Sequence, residues 1–337
     1  MPLTSYREAI LEGAQAAHRL HVQLGTKDLV ETGRLSSVDV FRAVAESGAA
    51  MLFRPLGGLQ GAFLGPPAFA SEGIIVSTKY PLHVQRFTAA HELGHLLMGH
   101  APSFDSQVGL WRGEGRDLQE VAADSFASEF LMPLWLFVHH ARNHRWSAAA
   151  LSEPSVAYQL SLRLGASYEA TCWGLRGHRI VGSKVADTLA THEPKTMKLG
   201  ALAGRHLERD SRANVWVVEP GDHRQRLEGN PTDLILFRFP ERTTEGYVWD
   251  EGALQAAGLE VVDDWRTNET IDDVGGPVTR TIATRAPENG GGHYPIALTE
   301  RRPWDPDDQI TALEVELDLF GREVGLPRFA RGDRLAA

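Results

Sequence analysis

The stretch from Arg86 to His100, Arg-Phe-Thr-Ala-Ala-His-Glu-Leu-Gly-His-Leu-Leu-Met-Gly-His, constrains this chain more than any other. It contains His91-Glu92-Leu93-Gly94-His95, the H-E-x-x-H pattern. On a helix, residues four apart share a face, so both imidazoles can converge on one metal ion. Glu92, beside the first of them, is within reach of a water polarised by that ion and suits a general base. Leu93, Leu96, Leu97 and Met98 predict that the helix is buried. Two histidines and a glutamate on a buried helix need partners, and a metal is one. The alternative is a polar helix face without an ion. The chemistry predicted is zinc-assisted peptide hydrolysis.

A site of this kind takes a third protein ligand and leaves one position open. The next helical stretch, Leu118 to Pro133, offers Glu120 and Asp124 four residues apart. Glu120 is the expected ligand, and Asp124 the acceptor for the free ring N–H of a ligand histidine. Glu129 on the same helix is the alternative, but Ala122, Ala123, Phe126 and Ala127 place the apolar side next to Glu120. His100 follows His95 by five residues, a rotation of about 140° on a continuing helix. It therefore reads as a helix-terminal residue and not a ligand. His139, His140 and His144 read as exposed helix positions.

With 337 residues, the chain has room for two or three domains. A net charge of −10 opposes nucleic-acid binding through phosphate neutralisation. The one cysteine, Cys172, excludes an internal disulfide, fits a reducing cytosol and falls in an apolar helical stretch. No apolar run reaches about 18 residues, so no membrane span is expected. The N-terminus does not show the basic-then-apolar signature of a secretion signal, so none is expected. A cytoplasmic location is the expectation.

Helices are predicted over 5–24 and 37–48, the second capped by Ser36 or Ser37. Strands follow at 50–55, 62–64 and 73–77, then the histidine helix at 84–100. That order gives an α+β domain, with a sheet edge beside the helix where an extended substrate chain could add as a strand. The Leu56–Gly61 turn lacks the Gly-Lys-Ser/Thr ending of a phosphate loop.

The Arg86–His100 motif, then Glu120-x-x-Ala-Asp-x-Phe-Ala-x-Glu-x-Leu-Met-Pro133, resembles the ImmA/IrrE metallopeptidases, as does Pro55-Leu-x-Gly-Leu-x-Gly61. The Glu-x-x-x-Asp arrangement is also similar to that of thermolysin-like zinc peptidases. The resemblance covers residues 1–145 and implies a zincin-like domain. It implies His91, His95 and Glu120 as metal ligands and Glu92 as catalytic base. It further implies a protein substrate: members cleave helix-turn-helix transcriptional repressors, derepressing stress, mobile-element or prophage genes. Zinc is the expected ion, and manganese suits the same donor set.

Residues 146–212 are expected to form a helical subdomain and connector. Leu160 to Leu175 has the look of a helix-turn-helix with Gly165 in the turn. Tyr168 and Glu169 stand where a DNA reader wants basic residues, so the helices are expected to pack on the peptidase. From 213 to 325, alternating strands at 214–218, 233–239, 278–284, 294–298 and 311–319 predict a β-sandwich, followed by a tail at 326–337.

Thr243-Thr-Glu-Gly-Tyr-Val-Trp249, Val274-Gly-Gly276 and Arg302-Pro-Trp304 resemble the three binding loops of chagasin-type inhibitors of papain-like cysteine proteases. That family has an immunoglobulin-like fold. The chain departs from its pattern at the inserted Glu245 and in lacking Asn-Pro before the Thr pair. The resemblance implies partner-binding positions at Thr244, Gly246, Tyr247, Gly275, Gly276, Arg302, Pro303 and Trp304.

The function expected is a regulatory zinc endopeptidase acting on a partner protein, with the sandwich recognising a signal, partner or substrate. The alternative is an interaction module whose sandwich binds or inhibits a papain-like protease, with a regulatory or silent metal site. A DNA-binding regulator using residues 160–176 is disfavoured by the acidic charge.

Overall fold

Helix α1 (Tyr6–Leu24) starts where the Ser5 hydroxyl accepts the Glu8 amide and stops where Gly25 turns left-handed at φ 59°. The computed structural model describes residues 5–33, 35–66, 69–100, 117–207, 210–268, 278–288 and 290–335. The protein is α+β, helix-rich first and β-rich later. It divides into two compact units that alternate along the sequence. The first unit holds 1–138, 164–178 and 322–337; the second holds 139–163 and 179–321.

In the first unit, α1 leads into α2 (Thr26–Glu31) and α3 (Val40–Glu46). The cap of α3 is neither Ser36 nor Ser37, which are buried upstream. It is Asp39, whose carboxylate accepts the Arg42 amide at 3.0 Å. Strands β1 (Ala50–Arg54), β2 (Gly61–Leu64) and β3 (Gly73–Ser77) form a sheet in the order β1-β3-β2. The β1–β3 pair is parallel and the β2–β3 pair antiparallel. Helix α4 (Leu82–Met98) packs on β2 and β3, and α5 (Leu118–Leu131) packs on α1 and α4.

Gly94 lets α4 and α5 close on each other. A Cβ there would lie 3.0 Å from the Phe126 ring. Leu93, Phe126 and Phe130 are fully buried in this core. The run Leu118–Asn143 reaches the length and apolarity of a membrane span, which the sequence reading did not anticipate. It is broken near Pro133 into α5 and α6 (Leu134–Asn143), and its Phe126, Phe130, Leu136 and Phe137 are wholly buried in the protein.

Helix α7 (Pro154–Leu164) ends in a turn where Gly165 takes φ 62°, and Ser167 caps α8 (Tyr168–Gly177) by accepting the Ala170 amide at 3.1 Å. Gly165 lies against the Arg86 guanidinium, which donates to the Val38 carbonyl at 2.7 Å. Cys172 is buried on α8, and burial pushes its thiol up to about 11, so it offers no thiolate. The C-terminal segment returns to this unit. Gln85 donates to the Glu323 carbonyl at 3.0 Å and accepts the Glu323 amide at 2.8 Å.

In the second unit, α9 (Ser183–Ala190) and α10 (Pro194–Ala201) precede the strands, where the sequence suggested a connector. Strands β4 (Val215–Val218), β5 (Gln225–Gly229), β6 (Leu234–Glu241), β7 (Val248–Trp249), β8 (Glu260–Asn268), β9 (Val278–Arg285), β10 (Gly292–Arg302) and β11 (Asp305–Leu319) form two four-stranded sheets. Their orders are β5-β11-β10-β7 and β4-β6-β9-β8. The short α11 (Gly252–Ala256) precedes β8, and α12 (Arg328–Leu335) lies in the returning C-terminal segment.

Trp216, Phe237, Ile282, Ile296, Val315 and Leu317 form the shared core of this β-sandwich. A second cluster, with Leu202, Val215, Val217, Leu234, Leu236 and Trp265, covers the other face of the β4 sheet. Burial on both faces explains why Val215–Val218 is a continuous apolar run. The pairings of β4 with β6 and of β5 with β11 are parallel. Strands β5, β7 and β8 were missed from sequence because β5 and β8 carry charged residues that interrupt any apolar alternation and β7 spans only Val248–Trp249.

Candidate metal centre

The helix α4 places His91, Glu92 and His95 in the core of the first unit, all buried. Their Nε2 atoms converge: those of His91 and His95 are 3.0 Å apart. Glu120, in the first turn of α5, reaches His91 Nε2 at 3.2 Å and His95 Nε2 at 3.3 Å. Among the described residues, His91, His95 and Glu120 are the group whose donor atoms lie close enough together to share a metal ion. Glu129 is not in it.

The donor set fits such an ion. Bonds of about 2.0–2.1 Å in a tetrahedron put neighbouring donors about 3.3 Å apart. The three spacings found, 3.0, 3.2 and 3.3 Å, are near that edge. Glu120 Oε2 is buried, and the contact given for it is His91 Nε2, so its lone pairs are aimed at the cluster. Burial disfavours a charged His91, but the Asp124 and Glu120 carboxylates and the Glu92 charge outweigh it and hold its pKa up to about 10. Burial opposes the Glu120 carboxylate, yet its contacts with His91 and His95 carry it well below the usual range. The cluster demands positive charge between its donors, as a cation would supply.

Each of these two imidazoles has a partner on its outer nitrogen. Asp124 Oδ1 lies 2.9 Å from His91 Nδ1. His100 Nδ1 lies 2.9 Å from His95 Nδ1, which the sequence did not predict. His100 lies just past the helix end and outside the group that could share an ion; the chain reverses at Gly99, which takes φ 69°, and this brings the His100 ring to His95. Burial and the neighbouring His95 lower the His100 pKa to about 4, which favours a neutral ring with one nitrogen free to accept.

Glu92 sits under the edge strand β2. Burial raises its carboxyl pKa, against the pull of His91, His95 and the Phe63 backbone N–H. A raised pKa makes the carboxylate a stronger proton acceptor, as a general base needs. Sequence reasoning did not single out Gly61, yet it lets β2 approach: a Cβ there would lie 2.4 Å from Thr88 Cγ2 and 3.6 Å from Glu92 Cγ. The Pro55-Leu-x-Gly-Leu-x-Gly61 segment was the signal for it.

The other predicted positions divide. In the sandwich, Thr244 lies in a single 3-10 turn and Gly246, at φ 83°, packs so closely on Trp304 that a Cβ would stand 2.4 Å from its ring. Arg302 lies over the Tyr247 ring at 4.5 Å, and both bond Asp308. The first and third loops therefore meet, with Trp304 71% exposed. Pro303 lines a cavity of about 380 Å³ with Trp249, Arg280 and Arg301. Gly275 and Gly276 lie outside the described residues.

His140 and His144 correct the expectation of exposed positions. The His140 ring is buried, which lowers its pKa to about 3. His144 Nε2 lies 3.1 Å from Asp222 Oδ1, both side chains 1% exposed. Arg163 grips the same carboxylate through two bonds of 2.8 and 2.7 Å.

No curated protein matches the chain. Among solved structures, a cysteine protease inhibitor from Entamoeba histolytica aligns at 19% identity and a TM-score of 0.27, over 31% of this chain and 95% of its own. The solution structure of amebosin aligns at 16% identity and a TM-score of 0.25, with the same coverages of 31% and 95%. Residues 45–176 match the sequence model of the IrrE N-terminal-like domain, Peptidase_M78, a metallopeptidase family, and that segment carries His91, Glu92, His95, His100, Glu120 and Asp124.

Proposed function

We propose that the protein is a zinc-dependent regulatory endopeptidase that cuts a specific partner protein, a helix-turn-helix repressor. The observation that carries this reading is the convergence of His91, His95 and Glu120 beside a buried Glu92 under a strand edge. The histidine pair and Glu120 would hold the ion, zinc or manganese. When bound, the ion supplies Lewis-acid polarisation of a peptide carbonyl and of the attacking water. Glu92 takes the proton from that water and delivers it to the departing amide nitrogen. Asp124 keeps the proton of His91 on Nδ1, leaving Nε2 free as a ligand. The β2 edge offers backbone groups to an extended substrate segment. The buried site and the added sandwich support selective cleavage, with the sandwich recognising a signal, partner or substrate.

A second reading gains support from the joined loops around Trp304. In it the sandwich binds a papain-like cysteine protease through Thr244, Gly246, Tyr247, Arg302, Pro303 and Trp304, and the metal site is regulatory or silent. The variant Glu92→Gln separates the two. The endopeptidase reading expects it to bind zinc as wild type does and to cleave a repressor encoded by a neighbouring gene at least about 100-fold more slowly. Equal cleavage by both proteins would sink the mechanism. Loss of cleavage with retained zinc would remove the case for a silent metal site.

A further inference from the structure

Helix α4 ends in a Schellman motif. The Gly99 amide donates to the Leu96 carbonyl at 3.2 Å, and the His100 amide donates to the His95 carbonyl at 3.0 Å. The motif joins the residue after the left-handed glycine to the residue five positions earlier. Their side chains then meet, usually as an apolar contact. Here both are imidazoles, and their Nδ1 atoms stand 2.9 Å apart. His95 Nε2 already points at His91 Nε2 and Glu120 Oε1, so Nδ1 is its remaining ring nitrogen.

We propose that His100 is the positioning residue of His95: its Nδ1 accepts the proton on His95 Nδ1 and so fixes the ring and the tautomer that present Nε2 to the metal. This rests on the reading that His91, His95 and Glu120 hold an ion. His100 does for His95 what Asp124 does for His91, but it is set in place by a helix terminus and not by a second helix. Two ring nitrogens 2.9 Å apart need one proton between them. A ligand histidine with its proton on Nδ1 makes His100 the acceptor, and His100 then carries its own proton on Nε2. The left-handed conformation of Gly99, φ 69°, is what aims His100 back under the helix.

The test uses the full chain and zinc alone, with affinity measured by chelator competition. His100→Leu keeps bulk and removes the acceptor. His100→Asn places an amide oxygen near the position of Nδ1 and retains an acceptor. The expected result is a loss of about 10–100-fold in zinc affinity for the Leu variant and recovery to within about threefold of wild type for the Asn variant. Leu binding zinc as tightly as wild type, or Asn falling as far as Leu, overturns the proposal alone. A wild type that takes up no zinc overturns the metal reading and this proposal with it. Nitrogen-15 shifts of the zinc-loaded wild type decide the matter if the Leu variant does not fold. A proton on Nδ1 of His95 and a bare Nδ1 on His100 uphold the proposal, and the reverse tautomers overturn it.

Discussion

Gly61 shows how one missing methyl group sets the site. With a Cβ, residue 61 would stand 2.4 Å from Thr88 Cγ2 and 3.0 Å from the Ile75 carbonyl, contacts neither helix nor strand can yield without moving. Gly61→Ala is expected to cost about 1–3 kcal/mol of stability through overpacking. It would also draw β2, with the Phe63 N–H, away from Glu92. Zinc content should stay at the wild-type level while cleavage slows by about 10–100-fold, since misplacement of about 1 Å carries such a penalty. Full activity in a zinc-loaded Gly61→Ala protein would show that β2 does not position the site. His91 and His95, and likewise Glu120 and Asp124, could be paired from sequence because each pair is four residues apart and so shares a helix face. His100 could not, because its placement depends on the φ of Gly99, and a rotation counted along a helix assumes that the helix goes on. Gly61 was half readable: its turn stood out, but the neighbour that forbids a side chain is Thr88 on another element.

At the scale of elements, α6 and α7 carry residues whose meaning lies far along the chain. His144, just past α6, and Arg163 on α7 meet at Asp222, which is 78 residues beyond His144. Polarity suggested that the α6 histidines were exposed, and nothing local reveals a carboxylate that distant. Arg163 also donates to the Gln159 carbonyl at 2.9 Å and the Val217 carbonyl at 2.8 Å, so the pair is well satisfied although buried. Burial opposes the charge on His144, but its contacts with Asp222 and Glu219 prevail and raise its pKa above the ordinary imidazole value of about 6.5. The charged imidazole therefore stabilises the fold fully below that value, and the contribution is lost as pH rises through the folded pKa. His144→Gln should lower the unfolding temperature most below about pH 6.5 and progressively less as the pH rises above it. Thermal melts of both proteins on either side of that pH check it. A gap that stays constant with pH would show that the ring packs without its charge.

At the scale of the whole chain, composition placed the break between helical and β-rich parts, but not the path between them. The strands from Val215 onward could be read from runs such as Val215–Val218, whereas the alternation of the two units along the sequence could not, because it rests on pairings between distant residues. The last residues illustrate this. They follow the sandwich in sequence and read as a tail, yet they complete the unit that holds His91, His95 and Glu120. Gly325 exchanges two backbone bonds of 2.7 and 2.8 Å with Phe53 and so occupies the outer edge of β1. Glu323 forms two more with Gln85, six residues before His91 on α4. With β1 covered, β2 is the sheet edge left beside Glu92 among the described residues. Deleting residues 322–337 removes these four hydrogen bonds. At about 0.5–1.5 kcal/mol each, the loss is roughly 2–6 kcal/mol. The truncated chain is expected to unfold at lower temperature in the unit that bears the cluster, with weaker zinc retention, while the β-sheet signal of the sandwich melts as before. Hydrogen exchange resolves the two units separately. If protection in α4 and β1 were unchanged by the truncation, the C-terminal segment would be an appendage and the closure of the β1 edge would lie elsewhere.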